Sequence, residues 1–317
     1  MNYRKLGRTG LNVSEISLGC WTIGGPGQSG WGHIEEKEVI DAVNYAVDNG
    51  VNHFDNADSY GEGNSERMLA KALGKKTKKV IIATKVGWVK GTAESAYEAL
   101  HIRHQCEQSL KNLKRDFVDI YYFHHGDFGP KDQYVDEAVA EVNKLKSEGK
   151  IRFIGLSTYS QDDFLRLVPK IKPDVLQGSC NAMDTGYIAP ASKTAQLMKK
   201  EDIKIVGFSP LVHGLLLGKY SVAHPPKFEK GDFRSRSDYF KTESLKKNDE
   251  RMEKIKAKFG SEIKDVARVM LQYVLSFEAL GCTIPGFRNR QQVELNLAAA
   301  GKPLSNEEVK FIENVFN

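Results

Sequence analysis

From Ile16 onward the chain repeats one pattern, a short apolar run rich in Val, Ile and Phe followed by a longer amphipathic segment. The short runs are ISLGC, VNHFDNA, VIIATKV, FVDIYYFHH, IRFIGLST, VLQGSCN, IKIVGFSP and CTIPG, eight in all. Their composition and length read as strands, while segments such as ESAYEALHIRHQCEQSLKNLKR and VDEAVAEVNKLKSEG have helical spacing. Eight strand–helix units without a composition break predict an α/β fold, a closed parallel (β/α)8 TIM barrel, with residues 1–317 forming one domain. Two pieces lie outside the repeat. YRKLGRTGLNVS reads as a hairpin closing the N-terminal mouth, and LSNEEVKFIENVF as an extra C-terminal helix with Ser305 and Glu308 in a capping box.

The longest irregular stretch, residues 212–247, follows the seventh strand and should hang over the C-terminal mouth of the barrel. Another loop poses a sharper question. GPGQSG, Gly25 to Gly30, matches the GxGxxG dinucleotide fingerprint, but WGHIEE separates it from the following helix and Pro26 sits within the turn. A phosphate-binding turn of that kind opens its helix directly, so GPGQSG reads as a loop after the first barrel strand, with Trp31 bordering the pocket.

Bulk properties exclude several classes of function. No apolar run is long enough to cross a bilayer, so no membrane insertion is expected. The formal charge of +5 suits a phosphate-bearing ligand but is too diffuse for nucleic acid. The KKTKK run at Lys75 to Lys79 reads as a solvated helix end. Cys20, Cys106, Cys180 and Cys282 are widely spaced with no CxxC pair, which predicts free thiols and no metal site. The opening MNYRKLGRTGLNVSE has no apolar signal region, and a cytoplasmic location is expected.

In a barrel of this kind catalytic groups come from the C-terminal ends of the strands. Three consecutive strands end at Asp55, Lys85 and His124, and Tyr60 can reach back from the loop after Asp55. A neighbouring ammonium is expected to lower the pKa of a phenol, so Lys85 would activate Tyr60. Asp55 would keep Lys85 charged, and His124 would hydrogen-bond a substrate oxygen beside Tyr60. Side-chain alternation turns His125 away from the lumen, and His101 and His104 read as exposed helix residues without a third ligand.

FDNADSYGEGNSE, ATKVG and DIYYFHHGD carry these residues in order, and with them the chain resembles the aldo-keto reductase family. The resemblance covers essentially the whole chain. It implies NADPH-dependent reduction of an aldehyde or ketone, with Asp55, Tyr60, Lys85 and His124 as the catalytic tetrad. It also implies that Ser157, Thr158 and Gln177 hold the nicotinamide carboxamide, although Thr158 stands where the family has Asn. Phe208, in FSPL with Ser209 and Leu211, would stack on the nicotinamide, and GLLLGKY would cover the pyrophosphate through Gly214, Leu215, Gly218 and Lys219. IPGFRNRQQVELN resembles the adenosine-binding segment, which implies roles for Gly286, Arg288, Gln292 and Asn296, with Arg288 on the 2′-phosphate of NADP.

Substrate contacts are expected from Trp21, Trp31 and Trp88, from the loops Trp21 to His33 and Gly126 to Asp132, and from the long segment containing Arg234 and Arg236. The partner is expected to be a small carbonyl compound, and the chain a monomer or small homo-oligomer. Some family members with this layout act instead as cofactor-binding regulatory subunits of membrane channels, and that alternative stands beside the enzyme.

Overall fold

The structure, a computed structural model, describes residues 1–27 and 30–317. The Gln28 and Ser29 positions of the GPGQSG loop lie outside the described residues.

Two antiparallel strands open the chain, β1 (Tyr3–Lys5) and β2 (Asn12–Ser14). Eight parallel strands follow: β3 (Leu18–Gly19), β4 (His53–Asp55), β5 (Ile81–Val86), β6 (Val118–Phe123), β7 (Ile151–Ser157), β8 (Val175–Ser179), β9 (Ile205–Phe208) and β10 (Leu280–Thr283). Each expected apolar run supplies one of them. They are hydrogen-bonded in chain order from β3 to β10. The two ends meet through parallel bridges between Ile16 and Thr283 and between Gly19 and Gly286. The Ser17 N–H donates to the Thr283 carbonyl at 2.9 Å, and the Thr283 N–H to the Glu15 carbonyl at 3.0 Å. These contacts remove the sheet edge that an open arrangement would expose.

The intervening helices are α1 (Glu36–Asp48), α2 (Asn64–Leu73), α3 (Ala99–Leu113), α4 (Val135–Ser147), α5 (Gln161–Ile171), α6 (Lys193–Glu201), α7 (Thr242–Phe259), α8 (Ile263–Leu275) and α9 (Arg290–Leu297), with α10 (Asn306–Phe316) last. The capping box at α10 is present, Ser305 and Glu308 each accepting the other's backbone N–H. None of these helices is long and apolar enough to cross a membrane.

Strand alternation sorts the core into two parts. Phe54, Ile82, Val86, Tyr121, Phe123, Ile154, Leu156 and Leu176 face outward and pack with the helices. Ala83, Ile120, Tyr122, Val175, Val206 and Cys282 face the lumen, where Leu6, Leu11 and Val13 of the opening hairpin join them. The hairpin therefore plugs the N-terminal end, and the functional end is the opposite one. His125 is structural, its Nε2 lying 2.9 Å from the Gly87 carbonyl. His101 is less exposed than its helix position implied, with Nε2 2.7 Å from the Val89 carbonyl.

Close packing of the lumen depends on small residues, Gly155 among them. Gly155 on β7 pairs with Tyr122 on β6, and a Cβ at Gly155 would lie within 2.4 Å of two carbons of the Tyr122 ring. Tyr122 is fully buried and cannot swing aside. We expect Gly155→Ala to destabilise the protein by about 1–3 kcal/mol through overpacking, read as a lower urea midpoint, while alanine at the exposed Gly27 leaves the midpoint unchanged.

Candidate active site

The alternation that places Ala83, Ile120 and Val175 in the lumen places Lys85, Tyr122 and Gln177 two residues further along on the same face, and His124 two beyond Tyr122. The polar residues of these strands thus collect in the last layer before the C-terminal mouth. Lys85 is completely buried and Asp55 is 1 % exposed. Their ion pair is 2.5 Å long, and the Lys85 ammonium also donates to the Asn56 carbonyl at 2.6 Å and to the Tyr60 hydroxyl at 3.2 Å. All three ammonium protons are engaged. The Gln177 amide donates to the other Asp55 oxygen at 2.7 Å, which holds the carboxylate from its far side. Tyr60 and His124 face each other edge-on with ring centroids 5.8 Å apart.

The Tyr60 phenol does not titrate as the sequence led us to expect. Burial, followed by the Asp55 carboxylate, raises its pKa well above the ordinary phenol value. The Lys85 charge that was to lower it is compensated by Asp55 at contact distance. Tyr60 is therefore a neutral phenol that accepts a hydrogen bond from Lys85 and keeps its own proton to give. Burial and the nearby Lys85 charge push the His124 pKa well below the usual imidazole value, so His124 is neutral. Its Nδ1 is buried and has no hydrogen-bond partner among the described residues. Behind this layer the Asp58 carboxyl is buried, and burial pushes its pKa well up, with the neighbouring Glu66 adding to the shift.

A cavity of about 890 Å³ opens above these groups. It extends from Asp55, Tyr60 and His124 past Ser157, Gln177 and Phe208 to Arg288, Gln292 and Asn296. Ser209, Leu211, Gly214, Lys219, Gly286, Trp21 and Trp31 also border it. Lys85 lies beneath the cavity, and Thr158, Leu215, Gly218, Trp88 and Arg236 do not line it. The Thr158 hydroxyl is spent in its own turn, donating to the Ser160 carbonyl at 2.8 Å and accepting the Ser160 N–H at 2.9 Å. Leu215 is fully buried in the core. The Gly218 carbonyl accepts from Lys256, away from the cavity. Trp88 is 56 % exposed and packs on His125 at 4.7 Å, outside the cavity wall.

The segment after β9 crosses the mouth as a strap, as its length implied. Trp31 and Asp232 form an antiparallel bridge, the Phe233 N–H donates to the Gly30 carbonyl at 3.0 Å, and the His33 N–H donates to Glu229 at 3.1 Å. Arg234 forks onto Asp232 and lies over the rings of Trp31 and Phe228, 4.8 and 4.5 Å from their centroids. Arg288 donates from Nη1 to the Trp31 carbonyl at 3.1 Å. Tyr159, His213, Lys227, Phe228 and Asp232 line the cavity without having been picked out in the sequence, because no periodicity marks residues in irregular loops. Among the described residues no group of three His, Cys, Asp or Glu is placed to hold a metal ion.

The strand ends thus bring the Asp, Tyr, Lys and His of the sequence motifs together beneath a long cavity, with the Asp–Lys pair buried and the imidazole neutral. Residues 15–317 match the family model of the aldo/keto reductase family, and the chain belongs to that family of carbonyl-acting oxidoreductases. Among its relatives are L-galactose dehydrogenase of Arabidopsis thaliana, 31 % identical over 93 % of this chain and 87 % of that one, and NADH-specific methylglyoxal reductase of Escherichia coli (strain K12), 29 % identical over 98 % and 97 %. Of solved structures, glycerol dehydrogenase from Gluconobacter oxydans superposes with a TM-score of 0.81 at 25 % identity, covering 99 % of this chain and 94 % of that one. An aldo-keto reductase from Bacillus halodurans, in its holo form, gives 0.79 at 22 % identity, covering 99 % and 96 %.

The Lys85–Asp55 pair is the energetic centre of this layer. Removing one member of a buried ion pair strands the other charge and costs about 3–5 kcal/mol. Lys85→Met should lower stability by that amount in urea denaturation, and adding Asp55→Leu should recover part of the loss, because the second change removes the stranded charge.

Proposed function

We propose that the protein reduces a small aldehyde or ketone to an alcohol with NADPH, Tyr60 acting as the general acid. The observation that carries this reading is the 3.2 Å hydrogen bond from Lys85 to the Tyr60 hydroxyl. It occupies a lone pair of the phenol and leaves the O–H to point at a ligand in the cavity that Tyr60 lines.

The cavity fits a dinucleotide. Phe208 offers a ring face, Ser157 and Gln177 offer polar groups beside it, and Lys219, Lys227, Lys264 and Arg288 bring positive charge toward the far end. When bound, the nicotinamide supplies hydride to the carbonyl carbon. Tyr60 then gives its proton to the carbonyl oxygen, and Lys85 stabilises the phenolate left behind. Asp55 and Gln177 fix Lys85 for that task, and the neutral His124 helps orient the oxygen. Arg288 would read the 2′-phosphate, since a guanidinium matches a phosphate fork to fork. Apart from the Trp31 carbonyl it has no hydrogen-bond acceptor for its side chain among the described residues.

The NADH-specific relative makes the choice of cofactor a point to test. The relatives named above carry the names of enzymes, which favours the enzyme over a regulatory subunit; the tetrad adds little to that choice, because such subunits can retain it.

Two variants check the assignment with a panel of small aldehydes, ketones and α-dicarbonyls. Tyr60→Phe should lower kcat about 10²- to 10⁴-fold, the contribution of a general acid, while NADPH still binds with unchanged affinity. Comparable turnover by this variant would remove Tyr60 from the mechanism. Arg288→Leu should weaken NADPH binding roughly tenfold or more, the worth of a charge-assisted hydrogen bond, and leave NADH binding unchanged. Equal losses for both nucleotides would exclude Arg288 as the reader of the 2′-phosphate.

A further inference from the structure

The segment after β9 carries backbone strain that the tetrad does not explain. Ser209 (φ 53°), Val212 (φ 45°), His213 (φ 56°) and Gly214 (φ 94°) all occupy the left-handed region. For a β-branched residue such as Val212 that conformation is an outlier, and such strain persists where the surroundings over-determine it. Here the surroundings are rings packed about His213. Its imidazole lies edge-on to Trp21 and Phe233, at 6.0 and 4.9 Å, and tilted against Trp31 and Tyr239, at 5.7 and 6.2 Å.

His213 lines the cavity, yet no described residue hydrogen-bonds to its ring nitrogens. His213 is only half-buried, and neither ring nitrogen is among the fully buried polar atoms, so both open to the cavity. A ligand group entering there takes the place of water at an imidazole that the protein itself leaves without a partner.

The place of His213 along the cavity indicates what that ligand group is. Trp21 touches Tyr60 on one side, 6.1 Å between ring centroids, and His213 on the other. Trp31 touches His213 with its ring and Arg288 with its carbonyl. His213 therefore lies midway between the tetrad and Arg288, where a dinucleotide extended between the two would carry its phosphates. The groups facing it are Arg234 and Asp232 of the strap and the Tyr239 phenol, with Lys219 of its own loop also lining the cavity and Arg288 beyond Trp31. Burial and the Arg234 charge hold its pKa down at about 4, with Asp232 opposing them weakly, so the ring is neutral while the cavity is free of anions.

We propose that His213 is an anion-binding residue that takes up a proton as it closes on a phosphate group. The proton comes from solvent, one for each anion bound, and the resulting imidazolium donates to a phosphate oxygen. The inference rests on the reading of the cavity as a dinucleotide site in one respect only, the source of the phosphate. That source is either the pyrophosphate of the cofactor or a phosphorylated carbonyl substrate.

The test compares wild type with His213→Asn, since Asn tolerates the left-handed backbone but does not titrate. Thermal melting verifies that the variant folds. The dissociation constants of NADPH and of inorganic pyrophosphate are measured from about pH 5.5 to pH 8.5 for both proteins, and calorimetry in two buffers of different ionisation enthalpy counts the protons taken up. The ratio of variant to wild-type Kd should be near one at the alkaline end and rise about tenfold toward the acid end, because only an imidazole that gains a proton on binding links affinity to pH. Wild type should take up close to one proton at the acid end and progressively less toward the alkaline end, and the variant none.

Taking the ratio cancels the titration of the ligand's own phosphates. A pH-dependent ratio for NADPH assigns the contact to the cofactor. A flat ratio for NADPH, with pyrophosphate still pH-linked and a preference for glyceraldehyde 3-phosphate over glyceraldehyde lost in the variant, assigns it to the substrate. Flat ratios for both ligands with no proton uptake overturn the proposal. Failure of wild type to bind NADPH, with pyrophosphate binding still pH-linked, refutes the dinucleotide reading and leaves the anion site standing.

Discussion

An ammonium ion with no exposure to water is the constraint around which the functional end is built. Lys85 sits in a barrel lumen lined below by Ala83, Ile120 and Val175, where an isolated charge would not survive. Three acceptors meet its three protons, and between them they fix the end of β4 and the loop that follows it. Asp55 and Asn56 come from the end of β4, while Tyr60 comes from the loop that follows. Gln177, two strands beyond β6, holds the same carboxylate. Satisfying one buried charge thus fixes the phenol, the carboxylate and the amide relative to one another before any ligand arrives.

This arrangement separates two properties that a single active group has to combine. Tyr60 is kept a neutral acid by burial and by Asp55, and its anion, once formed, has an ammonium at hydrogen-bond distance. The phenol and its phenolate are both accommodated, the first by burial and the second by the adjacent ammonium. His124, held neutral between Lys85 and the apolar wall, adds a polar edge without competing for the proton.

How much of this was legible in the sequence follows from what kind of regularity each part possesses. Eight strands repeat, and alternation along them fixes facing, so Asp55, Lys85 and His124 could be placed in one layer from their spacing alone. The hairpin plug and the α10 capping box were legible for the same reason, since local chemistry at a turn or helix start depends on few residues. Irregular backbone has no such rule. Thr158 folds back on Ser160, Leu215 turns into the core and Trp88 lies outside the cavity, while His213 and Asp232 line it unannounced. The protonation of Tyr60 was misjudged for another reason: a pairwise argument counted Lys85 and left out both burial and the charge that already neutralises Lys85.

The strap has a consequence that belongs to time rather than to affinity. Where Asp232 pairs with Trp31 and Phe233 with Gly30, the groove on the barrel rim becomes a covered passage. A long molecule lying beneath it cannot leave by simple lift-off, however weakly each of its atoms is held, because the backbone bonds above must first part. Release of whatever the strap spans is thereby tied to the parting of those backbone bonds rather than to the strength of its own contacts.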